Sequence, residues 1–419
     1  MTPTALRAGF VHRIKNKSCS LIFLQLPTLP HSDRYQNIAS IITGLNCGTD
    51  SSVPQFLLIA LTTFLEKMTL SAVPPSLRDI CRRLSSNDDD LVSLDLAGFN
   101  IGNSGAIALG RALDHNTNLH SLSLCYNLIS AAGAVPLLSS QGATRVRTLD
   151  LRYNSIGDDG AEALARGLSM NPNLQNLSLR NNFIGPVGAA SLCEALETNT
   201  TVEHLDLGTN AIGKAGVAAI SKMLQTNKTL RCLSLWSNHL DAECIQRIAM
   251  GLRFNTTLEV LNLGGNEIGD RGAQALADVL KYNTTLRSLH MANSQICGEG
   301  ALALARVLTT NTRLRLVDIL HNPIGLEGAA AFRSVLRSSN RTIHELRLDY
   351  QFKAIENFCF KGVNDEITIY LKLNQNGRAH MTNVRLPWGS WPNILAKVNV
   401  QADLMYLTLH EKPDLLQRE

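Results

Sequence analysis

LGTNAIGKAG, residues 207–216, poses two readings at once. From Gly208 to Lys214 it follows the phosphate-loop spacing G-x-x-x-x-G-K-[ST]. It fails only at Ala215, where a hydroxyl would hold magnesium. The same residues also fit L-x-x-L-x-L-x-x-N-x-I-G, a pattern that recurs along the chain. Ten copies start at Leu91, Leu119, Val146, Leu174, Val202, Leu230, Leu258, Leu286, Leu314 and Ile343. The intervals are 28, 27, six of 28, and 29. A phosphate cradle needs one special loop, and this loop is one of ten. Nucleotide binding is therefore not expected here, and GGNEIG at 264–269 falls with it.

Each copy has two halves with different periods. L-x-L alternates and predicts a short strand. GAEALARGL at 160–168 places Ala161, Leu164, Ala165 and Leu168 at i, i+3, i+4 and i+7, which predicts a helix with one buried, alanine-rich stripe. Gly213 aligns with Gly102, Gly157, Gly185, Gly269 and Gly325 as a turn glycine. Gly216 aligns with Gly105, Gly160, Gly188, Gly272 and Gly328 at the helix start. The Asn position is filled at 127, 154, 182, 210, 238, 266 and 322, and holds Ser294 in one copy. A buried Asn there can bond main-chain groups that the turning loop leaves unpaired. One repeat buries too little to stand alone, so stacking must supply the core.

Over about 91–351 these motifs resemble the leucine-rich repeats of the ribonuclease-inhibitor class. The resemblance implies an α/β solenoid, a horseshoe with a parallel concave β-sheet, convex helices and helical caps. It also implies a non-enzymatic scaffold that binds another protein on its concave face. SLRNNFIGPVG at 178–188 is similar to a stretch of the Ran GTPase-activating proteins in which an Asn acts on the GTPase. That alternative would use Asn181 and Asn182 against a small GTPase. Phe183 stands where that family has Gly, CYNLISAAG at 125–133 lacks its upstream Arg and longer loop, and its acidic tail is missing. With no nucleotide-binding module ahead of the repeats in this sequence, a complete NOD-like receptor is not expected. A fragment of an immune-type sensor is the third reading.

Composition agrees with a protein partner. The 419 residues carry a net charge of +4, 45% apolar residues and 5% aromatics. No basic stripe with interleaved aromatics points to nucleic acid. Nine scattered cysteines without a C-x-x-C pair predict reduced thiols and a cytoplasmic setting. FLLIALTTFL at 56–65 is too short to span a bilayer, and no membrane association is expected. Residues 1–32 carry Arg7, Arg13, Lys15 and Lys17 without an acid, so an organelle transit segment stays open at the N-terminus.

The flanks divide the chain into a flexible tail (1–35), a helical N-terminal cap (36–90), ten repeats (91–351) and a C-terminal cap (352–419). PPSLRDICRRL at 74–84 predicts a capping helix, with Ser76 and Asp79 as N-cap and N3. EITIYLKLN at 366–374 suits strand or helix, with helix the preferred reading. WPNILAKVN and ADLMYLTLHEKP read as helices, with Trp388 and Trp391 in the core of the cap.

Function in such a scaffold lives on the outward strand positions. The residue between the two strand leucines runs Asp95, Ser123, Asp150, Ser178, Asp206, Ser234, Asn262, His290, Asp318, Arg347. The alternation predicts a polar ladder that separates like charges by about two strand spacings of 4.8 Å, or an acidic strip for a basic partner. The next outward column includes Arg152, Arg180, Gly208, Trp236 and Gly264, and the one after it Tyr126, Tyr153 and Asn181. Tyr126, Arg152, Tyr153, Arg180, Asn181 and Trp236, with Asp150 and Asp206, are thus the candidate protein-binding residues. Tyr, Trp and Arg dominate binding hot spots, and Gly208 and Gly264 leave room around the indole. No catalytic residue, cofactor or metal is expected. His204, His239, His290 and His321 lie in separate repeats, and no Cys has an evident His partner. The N-T-T and N-K-T triplets at 199, 227, 255 and 283 match glycosylation sequons but read as repeat linkers.

Overall fold

Each L-x-L copy becomes a three-residue strand. They are β1 (Ser93–Asp95), β2 (Ser121–Ser123), β3 (Thr148–Asp150), β4 (Asn176–Ser178), β5 (His204–Asp206), β6 (Cys232–Ser234), β7 (Val260–Asn262), β8 (Ser288–His290), β9 (Leu316–Asp318) and β10 (Glu345–Arg347). The computed structural model describes residues 77–114, 116–139, 145–348 and 354–375. The chain divides into two units, Met1–Ser76 and Leu77–Glu419, and every described residue belongs to the second. The tail, residues 36–76 including the Ser76 cap, and 376–419 with both C-terminal tryptophans lie outside the described residues.

The ten strands form one parallel sheet in sequence order, in register leucine to leucine: Leu94 opposite Leu122, Leu177 opposite Leu205. Between them run α1 (Leu77–Ser85), α2 (Gly102–Leu113), α3 (Ala131–Ser139), α4 (Gly157–Met170), α5 (Pro186–Thr198) and α6 (Gly213–Thr226). α7 (Ala242–Phe254), α8 (Gly269–Leu280), α9 (Gly298–Val307), α10 (Gly325–Ser338) and α11 (Ala354–Gln375) complete the order. This is an α/β solenoid of stacked repeats. Leu122, Leu124, Ile129, Leu205, Leu207 and Ile212 pack with the small helix residues Ala161, Ala189 and Ala273 in one continuous core. The helix-start glycines permit that approach. A Cβ on Gly216 would stand 2.5 Å from Ile212 Cγ2.

The recurring Asn does what the motif predicts. Asn182 is fully buried; its Nδ2 donates to Leu151 O at 2.8 Å. Asn210 receives the amides of Asn182 and Ile184 on Oδ1 and donates from Nδ2 to Leu179 O and Leu207 O. Every bond joins one repeat to the next or closes the turn, so the column ties the stack together along its length. A second asparagine column runs behind the linkers. Asn227, Asn255, Asn283 and Asn311 each donate to a carbonyl of the helix before, at 2.7–3.0 Å. The sequon asparagines at 227, 255 and 283 are buried in this column.

Residues 366–374 are helix, as the C-terminal half of α11. Asn374 donates to Ile343 O at 2.8 Å, so this linker-side column continues one step past the last strand motif.

The alignment of turn glycines needs one correction. Gly102, Gly157, Gly213, Gly269 and Gly325 have positive φ, but Gly185 has φ −94. In its repeat the left-handed residue is Phe183, and Leu128, His239 and Gln295 take the same place in alternate repeats. Successive repeats therefore enter their helices in two alternating ways. In one the turn closes at Gly; in the other it closes two residues earlier.

Lys214 finds its role in that alternation. In comparable repeats Asp158 Oδ1 accepts from the Gly185 and Gly188 amides, and Asp270 Oδ1 from Cys297 and Gly300, capping the next helix from outside. At Lys214 the arrangement is reversed. Asp241 caps its own helix by accepting from Cys244 N, and Lys214 Nζ sits 3.0 Å from Asp241 and 2.9 Å from Glu243. The lysine that mimicked a phosphate loop is an inter-repeat ion pair.

Candidate functional site

Strand pleating sends the leucines inward and their flanking residues to the sheet face. The column read from sequence, Asp95 to Arg347, lies there, but its carboxylates are engaged. Asp95, Asp150, Asp206 and Asp318 each accept, through Oδ1, from the amide two residues on, at 2.9–3.2 Å. Asp alternates with Ser because alternate repeats use this side chain to hold the loop after the strand. Ser178 Oγ also donates to Asp206 Oδ2 at 3.4 Å. Asp318 is buried. Burial opposes its charge, but His290, the Leu320 amide and Arg347 outweigh that and hold the carboxyl below its ordinary range.

The loop after each strand continues the ladder with left-handed residues. Tyr126, Tyr153, Asn181, Thr209 and Ser237 all have φ between 52 and 57. Tyr126 N donates to Arg152 O, Tyr153 N to Arg180 O, and Asn181 N to Gly208 O. Five candidates thereby line up on adjacent repeats. Tyr126 and Tyr153 stack with centroids 4.1 Å apart and planes 8° apart. Burial, then the neighbouring Tyr153, raises the Tyr126 phenol well above its ordinary value. Arg152 is clamped on Asp150 by three contacts of 2.7–3.0 Å, which raise its pKa further. Arg180 differs: its Nε is buried and has no hydrogen-bond partner among the described residues.

Trp236 stands apart from this group, beyond Gly208. Its indole does not project into open space. It leans on the next repeat, where a Cβ on Gly264 would lie 2.3 Å from Cζ3 and one on Gly265 3.2 Å from Cε2. The glycine makes room for the ring to lie down. Asn182 is spent entirely on the repeat ladder and has no face toward a partner, whereas Asn181 is half-buried on the loop.

A further outward column, not among the candidates above, is the residue before each first strand leucine. It runs Thr148, Asn176, His204, Cys232, Val260, and with Asp150, Ser178, Asp206 and Ser234 it lines a groove of about 410 Å³. The same alternation that located Asp150 could have found it. His204 and Cys232 are register partners there. Burial and Glu259 push the Cys232 thiol up, which keeps it protonated and unsuited to nucleophilic work. Cys193, deep in the core, is pushed up to about 12 by burial.

The family profile described as Leucine Rich repeat matches residues 144–165, 171–193, 198–221, 254–277 and 282–305. With ten stacked strand–helix units, the chain is a leucine-rich-repeat protein. No curated protein matches it. Among solved structures it is similar to leiomodin-1 actin-binding site 2, at 20% identity over 45% of this chain and 97% of that one, TM-score 0.34. The Caenorhabditis elegans tropomodulin C-terminal domain matches at 16% identity over 36% and 93%, TM-score 0.32. The TLR13–ssRNA13 complex matches at 19% identity over 66% of this chain and 34% of that one, TM-score 0.43. Among the described residues no helix is long and apolar enough to cross a membrane.

Proposed function

We propose that this protein is a scaffold that recognises another protein on its sheet face. The anchors are Tyr126, Arg152, Tyr153, Arg180 and Asn181, with Trp236 and the Asp150 and Asp206 carboxylates at the margin. The observation that carries this reading is the buried, unpartnered Nε of Arg180 beside the stacked Tyr126–Tyr153 pair. A buried guanidinium N–H without an acceptor costs about 1–3 kcal/mol, which binding recovers when the side chain turns to present Nε to a partner carbonyl or carboxylate. The aromatic pair supplies rigid apolar area, and Arg152 arrives already held by Asp150. The six free thiols among the described residues support a reducing, cytoplasmic setting.

A photo-reactive amino acid placed at Thr209, next to Asn181 on the loop row, and, separately, at Gln274 on the exposed surface of α8 tests this. Covalent adducts with one protein from position 209 and none from position 274, lost when Tyr126 and Tyr153 become Ala in a folded chain, are expected. Equal adducts from both positions would move the site off the sheet face.

A further inference from the structure

A second row of charges follows the edge where the chain enters the sheet. Glu203, Arg231, Glu259, Arg287, Arg315 and His344 stand one per repeat. Each successive amide donates to the carbonyl of the residue before it, at 2.7–2.8 Å. The first four alternate in sign and pair. Arg231 lies 3.4 Å from Glu203 and 2.7 Å from Glu259, and Glu259 also takes Arg287 at 3.0 Å. One carboxylate is thus held between two arginines.

The alternation then breaks. Arg315 occupies the place where the next acid would stand, and the exposed Arg313 lies two residues before it. Among the described residues neither pairs with a carboxylate; Arg315 donates only to the carbonyls of Thr312 and Thr342. Burial, then Arg287 and Arg313, lowers the Arg315 pKa. Burial, then Arg315, lowers the pKa of His344, next along the row, which favours its neutral form, so it supplies no counter-charge to the arginines. Beside the row lies a groove of about 380 Å³ lined by these arginines, Lys228 and linker threonines. Its wall contains one orphan, the buried hydroxyl of Thr257, which has no hydrogen-bond partner among the described residues.

We infer that this edge binds an acidic segment of another protein, one carboxylate of which seats between Arg287 and Arg315 within reach of Arg313, as Glu259 seats between Arg231 and Arg287. Neighbouring strands are about 4.8 Å apart, so two adjacent arginines can reach one carboxylate, with Arg287 keeping Glu259 on its other side. The threonine lining suits polar neighbours of that residue. Glu203 and Glu259 in the same groove repel a continuous polyanion, which favours a discrete carboxylate over a nucleic acid backbone. This surface lies at the entry of the strands, and Arg180 with the tyrosine pair lies past their exit. The two sites stand or fall separately.

The test uses the full chain and fluorescein-labelled ten-residue peptides of alternating Ser and Glu, alternating Ser and Gln, and alternating Ser and phosphoserine, read by fluorescence anisotropy. Arg287→Gln with Arg313→Gln removes two exposed guanidiniums, and circular dichroism checks the fold; Arg180→Ala is the control at the other site. Saturable binding of the Glu peptide, weakened at least tenfold in the double variant and unchanged in Arg180→Ala, is expected. Absent binding, equal binding of the Gln peptide, or equal loss in Arg180→Ala overturns the inference. A phosphoserine peptide that binds more than tenfold tighter than the Glu peptide overturns the choice of a carboxylate.

Discussion

The indole of Trp236 occupies the space that a side chain at residue 264 would need: a Cβ on Gly264 would stand 2.3 Å from Cζ3. Gly264→Ala must therefore displace the ring. A cost of about 1–3 kcal/mol is expected, the usual range for overpacking. In a Trp236→Ala background the same change should cost less, though not zero, because that Cβ would also come 2.9 Å from Ala292 O. A double-mutant cycle from urea unfolding measures the coupling. Additive effects would show that the ring does not rest on this glycine.

Asn182→Ala should destabilise by about 3 kcal/mol. It removes one of the two amide donors to the Leu151 carbonyl, which keeps Asn154, and takes an acceptor from Ile156 N, all within the buried stack. Ser294 occupies the same position with a hydroxyl that reaches only Ala292 O. Ser294→Asn restores the longer amide and should stabilise by about 1 kcal/mol. Thermal unfolding of both variants reads the two signs, and a stabilising Asn182→Ala would contradict the ladder.

Thr209 is a β-branched residue at φ 54. The left-handed region costs such a residue about 1–2 kcal/mol. Thr209→Asn relieves part of that strain, and a rise of about 1 kcal/mol in unfolding free energy is expected. No change, or a loss, would mean that the threonine contributes packing of similar size.

Hydrogen bonds from the Cys244 amide, then from Lys214, hold the Asp241 carboxyl at about 2, below its ordinary 3.8. A depressed carboxylate stabilises the fold above its unfolded pKa, and the benefit fades as pH falls from about 3.8 through 2. Asp241→Asn keeps a capping side chain and removes the charge. Its unfolding temperature should lie slightly below wild type at pH 6 and converge with it by pH 2. The site is solvent-exposed, so added salt should also shrink the gap. Calorimetric titration of the same protein with Mg-ATP should give no saturable heat, since Lys214 is committed to Asp241 and Glu243.

Much of the fold was legible because the chain repeats. Leucine spacing, the buried Asn and the small helix residues are set by the need of every unit to bury the same faces against its neighbours, so ten copies reinforce one reading. Alternation of strand side chains placed Arg152, Arg180 and the tyrosines on one face. Averaging the copies into one motif hid the two-repeat alternation, even though Asp and Ser alternated visibly at the residue between the strand leucines. Gly185 was therefore grouped with Gly213, while Phe183 carries the positive φ.

Periodicity along the chain was enough to specify the solenoid, its parallel sheet and the faces its side chains occupy, because local spacing dictates burial. Which outward side chains are already engaged emerged only from the stacked repeats. Asp150 is locked to Arg152, Trp236 lies on Gly264, and Lys214 pairs with Asp241. Among the described residues Arg180 keeps a buried, unpartnered Nε and Arg313 has no carboxylate. Most of those arrangements depend on side-chain direction and on neighbours about one repeat away, which stacking brings within a few ångströms and a linear reading does not.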